Sequence, residues 1–193
     1  MKKSTIIVLV IIAVVAIWGI TGYNGLVNAE ETVSNAWSNV ESQYQRRADL
    51  IPNLVNTVKG YAEHEAQTLQ AVTDARVRAT QMNVNVEDLT PEKLLEYQKV
   101  QGELGAAIGR LLAITEAYPE LKANENFLEL QAQLEGTENR IAVARQNFNE
   151  TVKEYNTSIR KFPRNLLAGM FGFEKRPYFE AQEGAADAPQ VNF

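Results

Sequence analysis

The 193-residue chain offers few side chains for reactive chemistry: it has one histidine and no cysteine, against 24 acidic and 19 basic residues. His64-Glu65 begins like the zinc-protease pattern H-E-x-x-H, in which two histidines one helical turn apart hold the metal and the glutamate acts as base. Ala66, Gln67 and Thr68 follow, so the second histidine is missing and the pattern fails. Di-iron helical proteins need two Glu-x-x-His pairs. Tyr61 stands three residues before His64, which excludes that site as well. There is no G-x-S-x-G nucleophile turn and no glycine-rich phosphate loop ending in Lys-Ser/Thr. Without cysteine there are no disulfides, thiol nucleophiles, thiolate metal sites or lipid-modified N-terminal Cys. Gly102, Gly105 and Gly109 share one side of a helix and read as a close-packing face. The chain therefore reads as non-enzymatic, with no catalytic, cofactor-binding or metal-binding residues and no cofactor. A net charge of −5 argues against nucleic acid as a partner.

Charges that interrupt apolar stripes are the more informative chemistry. On a long helix expected over 122–162, the 4–3 rhythm passes Leu134, Glu138, Ile141, Arg145 and Phe148. Glu138 and Arg145 thus fall on the apolar face, and Glu65 falls on the stripe of an earlier helix. A lone buried charge costs several kcal/mol, so these residues should be paired. The spacing predicts a Glu65–Arg145 or Glu138–Arg145 contact in a buried polar layer. Such a layer fixes helix register, or alternatively receives a ligand or peptide. Phe148-Asn149 and Tyr155-Asn156 repeat seven residues apart, which puts both asparagines on one face, able to bridge helices through their amides.

These residues must be positioned by helices. Lys2 and Lys3 precede a stretch without charge, and residues 4–22 would make about 28 Å of helix, near the ~30 Å hydrocarbon thickness of a bilayer. Trp18 and Tyr23 suit its interface end. The rival reading is a signal peptide cleaved after Val27-Asn28-Ala29. Residues 1–23 are taken as an uncleaved anchor, with 4–23 in the lipid bilayer. The first basic residue beyond it is Arg46, so the positive-inside rule places the N-terminus in the cytoplasm and the remainder outside it. Residues 24–162 read as helical. Pro52 belongs in a first turn, with Asp49 as its cap, so the expected helices are 24–47, 50–82, 91–117 and 122–162. The fold class is all-α: a transmembrane helix followed by an antiparallel up-and-down four-helix bundle. One kinked rod through Pro52, packed in a three-helix array, is the alternative.

In that topology the last helix returns to the bilayer. Residues 163–179 continue it with Leu166, Leu167, Met170, Phe171 and Phe173 after Phe162, amid Arg160, Lys161, Arg164, Lys175 and Arg176. Apolar residues flanked by cations suit a segment lying on anionic headgroups, so 160–179 is a candidate membrane-surface contact. A flap over the bundle's open end is the plainer reading. Arg46, Arg47, Phe162, Leu166, Met170, Phe171 and Phe173 form the candidate interaction surface. Residues 180–193 read as a disordered tail.

Several long motifs carry a resemblance. They include Tyr23-Asn24-Gly25-Leu26-Val27, Ala36-Trp37, and Arg46-Arg47-Ala48-Asp49-Leu50-Ile51-Pro52-Asn53-Leu54-Val55. Tyr118-Pro119-Glu120-Leu121-Lys122-Ala123-Asn124, Glu138-Asn139-Arg140-Ile141-Ala142-Val143-Ala144-Arg145, Phe162-Pro163, Phe171-Gly172-Phe173 and Tyr178-Phe179-Glu180 extend it over nearly the whole chain. Together they resemble the LemA family, with Phe148 where that family often has Tyr. The resemblance implies a bacterial membrane-anchored protein with a four-helix bundle domain and no established enzymatic activity. The expected function is therefore an interaction scaffold at the envelope, its protein partner unknown; a ligand- or peptide-binding sensor using the polar layer is the alternative.

Overall fold

The computed structural model describes residues 3–180; of the tail expected over 180–193, residues 181–193 lie outside the described residues. Helix α1 spans Lys3–Lys59, α2 Ala66–Gln81, α3 Pro91–Ile114, α4 Pro119–Lys122, α5 Glu125–Arg160 and α6 Arg164–Phe171. Among the described residues there is no strand. The start of α1 stands clear of the rest: Ile7, Ile12, Ile17 and Ile20 are all more than half exposed. Burial begins at Gly22 and Leu26. With mean hydropathy 2.7 over its apolar window, α1 is the one helix among the described residues long and apolar enough to cross a membrane.

Pro52 does not start a helix. α1 runs through it without interruption to Lys59, so the break expected near residue 48 is absent. A proline at this point deprives the carbonyl four residues earlier of its N–H. That carbonyl belongs to Ala48, and Arg76 on α2 donates its Nε–H to it at 2.8 Å. A side chain from the neighbouring helix thus replaces the missing backbone donor. Arg76→Met is expected to cost about 1–2 kcal/mol by leaving a buried carbonyl unpaired. In the Pro52→Ala background the restored N–H should bond Ala48, and that cost should fall by at least half. Equal costs in the two backgrounds, read from denaturant unfolding, would refute this account.

The chain reverses instead at residues 60–65, where Tyr61 and Ala62 N–H both bond to the Val58 carbonyl. A 3-10 turn over Glu63–Glu65 leads into α2. α2 returns along α1, α3 pairs with α2, and α1 makes its largest contact with α5. Arg47 meets Glu138 and Trp37 meets Phe148, so α1 and α5 run antiparallel. The expected start of α3 holds: Thr90 accepts from Lys93 N–H, and Pro91 occupies the first turn. Asn124 caps α5 in the same way, accepting from Phe127 N–H.

Two cores result. The one nearer the apolar span joins Leu26, Val33, Trp37 and Val40 of α1 to Phe148, Val152 and Tyr155 of α5. The far one joins Ile51, Leu54 and Val58 to Val72 of α2, Leu104 and Leu111 of α3 and Phe127 of α5. On α5 the seam passes Leu134, Thr137, Ile141, Ala144 and Phe148. A 3–4 rhythm and a 4–3 rhythm share Leu134, Ile141 and Phe148, and the structure takes the one that buries Thr137 and Ala144. Glu138 and Arg145 therefore flank the seam. Gly102 and Gly109 face open space, so the close-packing face expected on α3 is absent; Gly105 alone abuts another helix, at the Arg47 guanidinium.

Candidate functional site

Arg47, expected on the surface, is 3% exposed. It follows Val33, Trp37, Val40 and Tyr44 at helical spacing and precedes Ile51, so it lies on the buried stripe of α1. That signal was present in the sequence; the expected helix end at residue 47 hid it. Arg47 Nη1 donates to Glu138 Oε1 at 2.8 Å. Nη2 donates to both the carbonyl and Oε1 of Gln101, at 2.8 and 2.9 Å. Gln101 in turn donates to the Ala79 carbonyl, so one arginine joins α1, α3, α5 and, through Gln101, α2. The guanidinium lies 5.1 Å from the Tyr44 ring centre. Burial pushes the Tyr44 phenol above its ordinary value, against the pull of the Arg145 and Arg47 charges. Burial raises Tyr97 further, aided by Tyr44 and Glu41. Both phenols are thus neutral packing groups at physiological pH. A small cavity of about 50 Å³ beside them is lined by Glu41, Tyr44, Tyr97 and Gln101, room for little more than a water or two.

The residues expected to form a polar layer are dispersed. Glu138 pairs with Arg47 and its side chain is half exposed. Arg145 lies over the Phe179 ring and donates to the Glu180 carbonyl. Glu65 sits in the reversal after α1, where Tyr118 donates its O–H to it at 3.2 Å. Neither expected pairing forms, because the reversal falls at residues 60–65 and the seam takes the other rhythm. Arg46 is exposed. Among the described residues no three His, Asp or Glu side chains gather at metal-binding geometry.

The two asparagines on α5 do something the sequence did not disclose. After α6, residues 173–180 form no helix and lie across the first core. Asn156 accepts from Arg176 N–H at 2.9 Å and donates to its carbonyl at 2.8 Å. Asn149 does the same for Phe179, at 2.8 and 2.9 Å. Arg176 reaches Glu30 at 2.8 Å and also the carbonyls of Val86 and Glu87. Phe179 is buried against Trp37 and Phe148. Trp37 also donates its Nε1–H to the Val84 carbonyl, tying the loop before α3 to the same place. Tyr155 beneath is raised to about 12, by burial first and by the Glu30 charge second.

α6 has two faces. Leu167 and Ala168 are buried, with Leu167 against Gly22, where an added Cβ would come within 2.6 Å of its Cδ1. Phe162, Leu166, Met170 and Phe171 are 81, 57, 72 and 55% exposed. The Tyr23 ring lies 4.8 Å from Phe171 and 5.9 Å from Phe173, so Phe173 is half-buried there. The apolar outer face of α6 is thereby held level with the point where α1 leaves its apolar stretch. Arg160, Lys161, Arg164 and Lys175 are exposed beside it, whereas Arg176 is turned inward.

Comparison with known proteins finds relatives over most of the chain. A family model described as the LemA family matches residues 36–193. The chain is 30% identical to Magnetosome protein MamQ 2 of Paramagnetospirillum magneticum over 186 residues, covering 88% of this chain and 68% of the relative. It is 30% identical, with the same coverage, to Magnetosome protein MamQ of Magnetospirillum gryphiswaldense. Protein LemA of Metamycoplasma hominis is 24% identical over 160 residues, covering 83% of this chain and 69% of its own length.

Proposed function

The chain belongs to the LemA family, and from that premise we propose that it is a single-pass, membrane-anchored scaffold of the bacterial envelope. Residues 4–23 cross the bilayer, the N-terminus is cytoplasmic, and the helical domain lies outside. α1, α2, α3 and α5 act as an up-and-down four-helix bundle that presents surfaces and performs no catalysis; the packing of α2 and α5 on α1 and of α3 on α2 supports the bundle. The magnetosome proteins among its relatives fit a membrane-associated role.

The observation that carries the reading is the outer face of α6. Leu166, Met170 and Phe171 of α6, with Phe162 just before it, stand exposed; Phe171 lies beside Tyr23 where the span ends, and four exposed cations are close by in sequence. An apolar face ringed by positive charge binds the headgroup boundary of anionic lipid through buried apolar area and electrostatic attraction. α6 then acts as a foot that seats the domain on the bilayer, and Gly22 allows it to sit against α1.

The absence of native cysteine makes the test clean. A solvatochromic label at Leu166→Cys, in the full chain reconstituted into anionic vesicles, should shift to the blue and be quenched by brominated lipid. The same label at Leu128→Cys, exposed at the far end of α5, should do neither. Equal behaviour at the two sites would refute the foot. Leu128→Cys should also react with an impermeant maleimide on intact cells, and protection there would reverse the orientation. Crosslinking in native membranes tests the scaffold: recovery of lipid alone would end that reading.

A further inference from the structure

We propose that the groove holding residues 176–180 is a binding site for an extended peptide of the pattern Arg-x-x-Phe. In this reading the chain's own segment fills the groove, and an Arg-x-x-Phe segment of a partner protein takes its place. The proposal gives the scaffold reading a class of partner, and it rests on that reading only for the partner being a protein.

The segment's main chain is held by side chains, as a bound peptide is, while Phe179 packs into the first core. Among the described backbone–backbone bonds beyond helices, none involves residues 174–180. The segment's main chain is instead read by side chains. An asparagine amide presents one acceptor and two donors, and so can clasp both polar groups of one residue whatever its side chain. Asn156 clasps residue 176 and Asn149 clasps residue 179. The spacing is matched: seven residues of α5 rise about 10.5 Å, while three residues of extended chain span about 10 Å. Gln98 and Arg145 both donate to the carbonyl of residue 180, continuing the readout.

Specificity comes from two side-chain pockets, as it does where main-chain bonds supply affinity. Glu30 and the carbonyls of Val86 and Glu87 form an acceptor pocket that fits a guanidinium. Trp37 and Phe148, with the Arg145 guanidinium 4.8 Å above the ring centre, form a slot for an aromatic side chain. Tyr178, between them, is 43% exposed, and its hydroxyl accepts from Asn156 at 3.2 Å. Departure of the segment would uncover Trp37 and Phe148, and the chain just before it supplies the hinge. α6 stops at Gly172, whose φ of +78° suits glycine, and Glu174 and Lys175 are exposed.

The test uses the full chain in detergent micelles. Arg176→Ala with Phe179→Ala weakens the resident ligand and opens the groove. A fluorescein-labelled peptide of sequence EKRPYFE should bind this variant saturably, at least tenfold more tightly than it binds the unaltered chain. Adding Asn149→Ala and Asn156→Ala, or replacing the peptide's phenylalanine with alanine, should weaken binding at least tenfold. No binding to a variant that retains its helical melting transition overturns the proposal. So does binding indifferent to the asparagines, or a peptide-independent dimer formed by segment exchange. Amide exchange on the unaltered chain gives a second measure, should the variant fail to fold. The N–H groups of Arg176 and Phe179 should exchange at least tenfold faster than those of Phe148–Ile159, and exchange in step with that core overturns the proposal. The Leu166→Cys label reads the membrane foot separately, so either idea can fail alone.

Discussion

Trp37→Ala is expected to lower stability by about 4 kcal/mol, in the range for removing a large aromatic from a core. Trp37 is 2% exposed and packs against Tyr97, Phe148 and Phe179, so α1, α3, α5 and the C-terminal segment all meet on one indole. Its Nε1–H also satisfies the Val84 carbonyl. Trp37→Phe keeps most of the apolar contact but loses that donor, and should cost about 1–3 kcal/mol. The measurement is urea unfolding of the full chain in micelles. The Trp37→Ala protein should also be clipped faster by protease near residue 179 than elsewhere. A cost under about 1 kcal/mol would mean that the first core is organised around something other than this residue.

The second large effect separates two adjacent arginines. Arg47→Met should cost about 2–3 kcal/mol, because it strands the Gln101 side-chain oxygen in the interior and removes charge-assisted bonds. Arg46→Met, on the exposed side of α1, should change stability by less than about 0.5 kcal/mol. Glu138→Gln should fall between them, near 0.5–1 kcal/mol, since half of that side chain is already in water. Equal costs for Arg46→Met and Arg47→Met would contradict the placement of Arg47. A buried guanidinium tied to three helices also discriminates among helix registers, because a one-turn slip would leave it among apolar groups.

The foot and the peptide groove lie on two sides of one short stretch. Residues 164–171 turn apolar side chains outward, and residues 176–180 are drawn inward by the asparagines of α5. A partner peptide that displaced the inner segment would free the chain immediately after the foot. The proposed membrane foot and the proposed peptide groove are thus adjacent in sequence and joined through Gly172.

Much of the architecture was legible in the residues themselves. The unbroken apolar stretch before Gly22, the cap at Thr90 and the stripe from Leu26 to Tyr44 all follow from local rules: helix length, cap chemistry and 3.6-residue periodicity. The family motifs, too, are a property of the chain alone. What the sequence could not settle were choices between local solutions of nearly equal cost. A proline can open a helix or sit inside one, and Pro52 sits inside because Arg76, far off in sequence, supplies the bond it removes. The two rhythms on α5 share their large apolar residues, and only packing against α1 buries Thr137 and Ala144 and leaves Glu138 to reach Arg47. Asn149 and Asn156 are two polar residues on one face until an extended segment arrives across them. In each case the deciding partner comes from another element, so only the tertiary structure could make the choice.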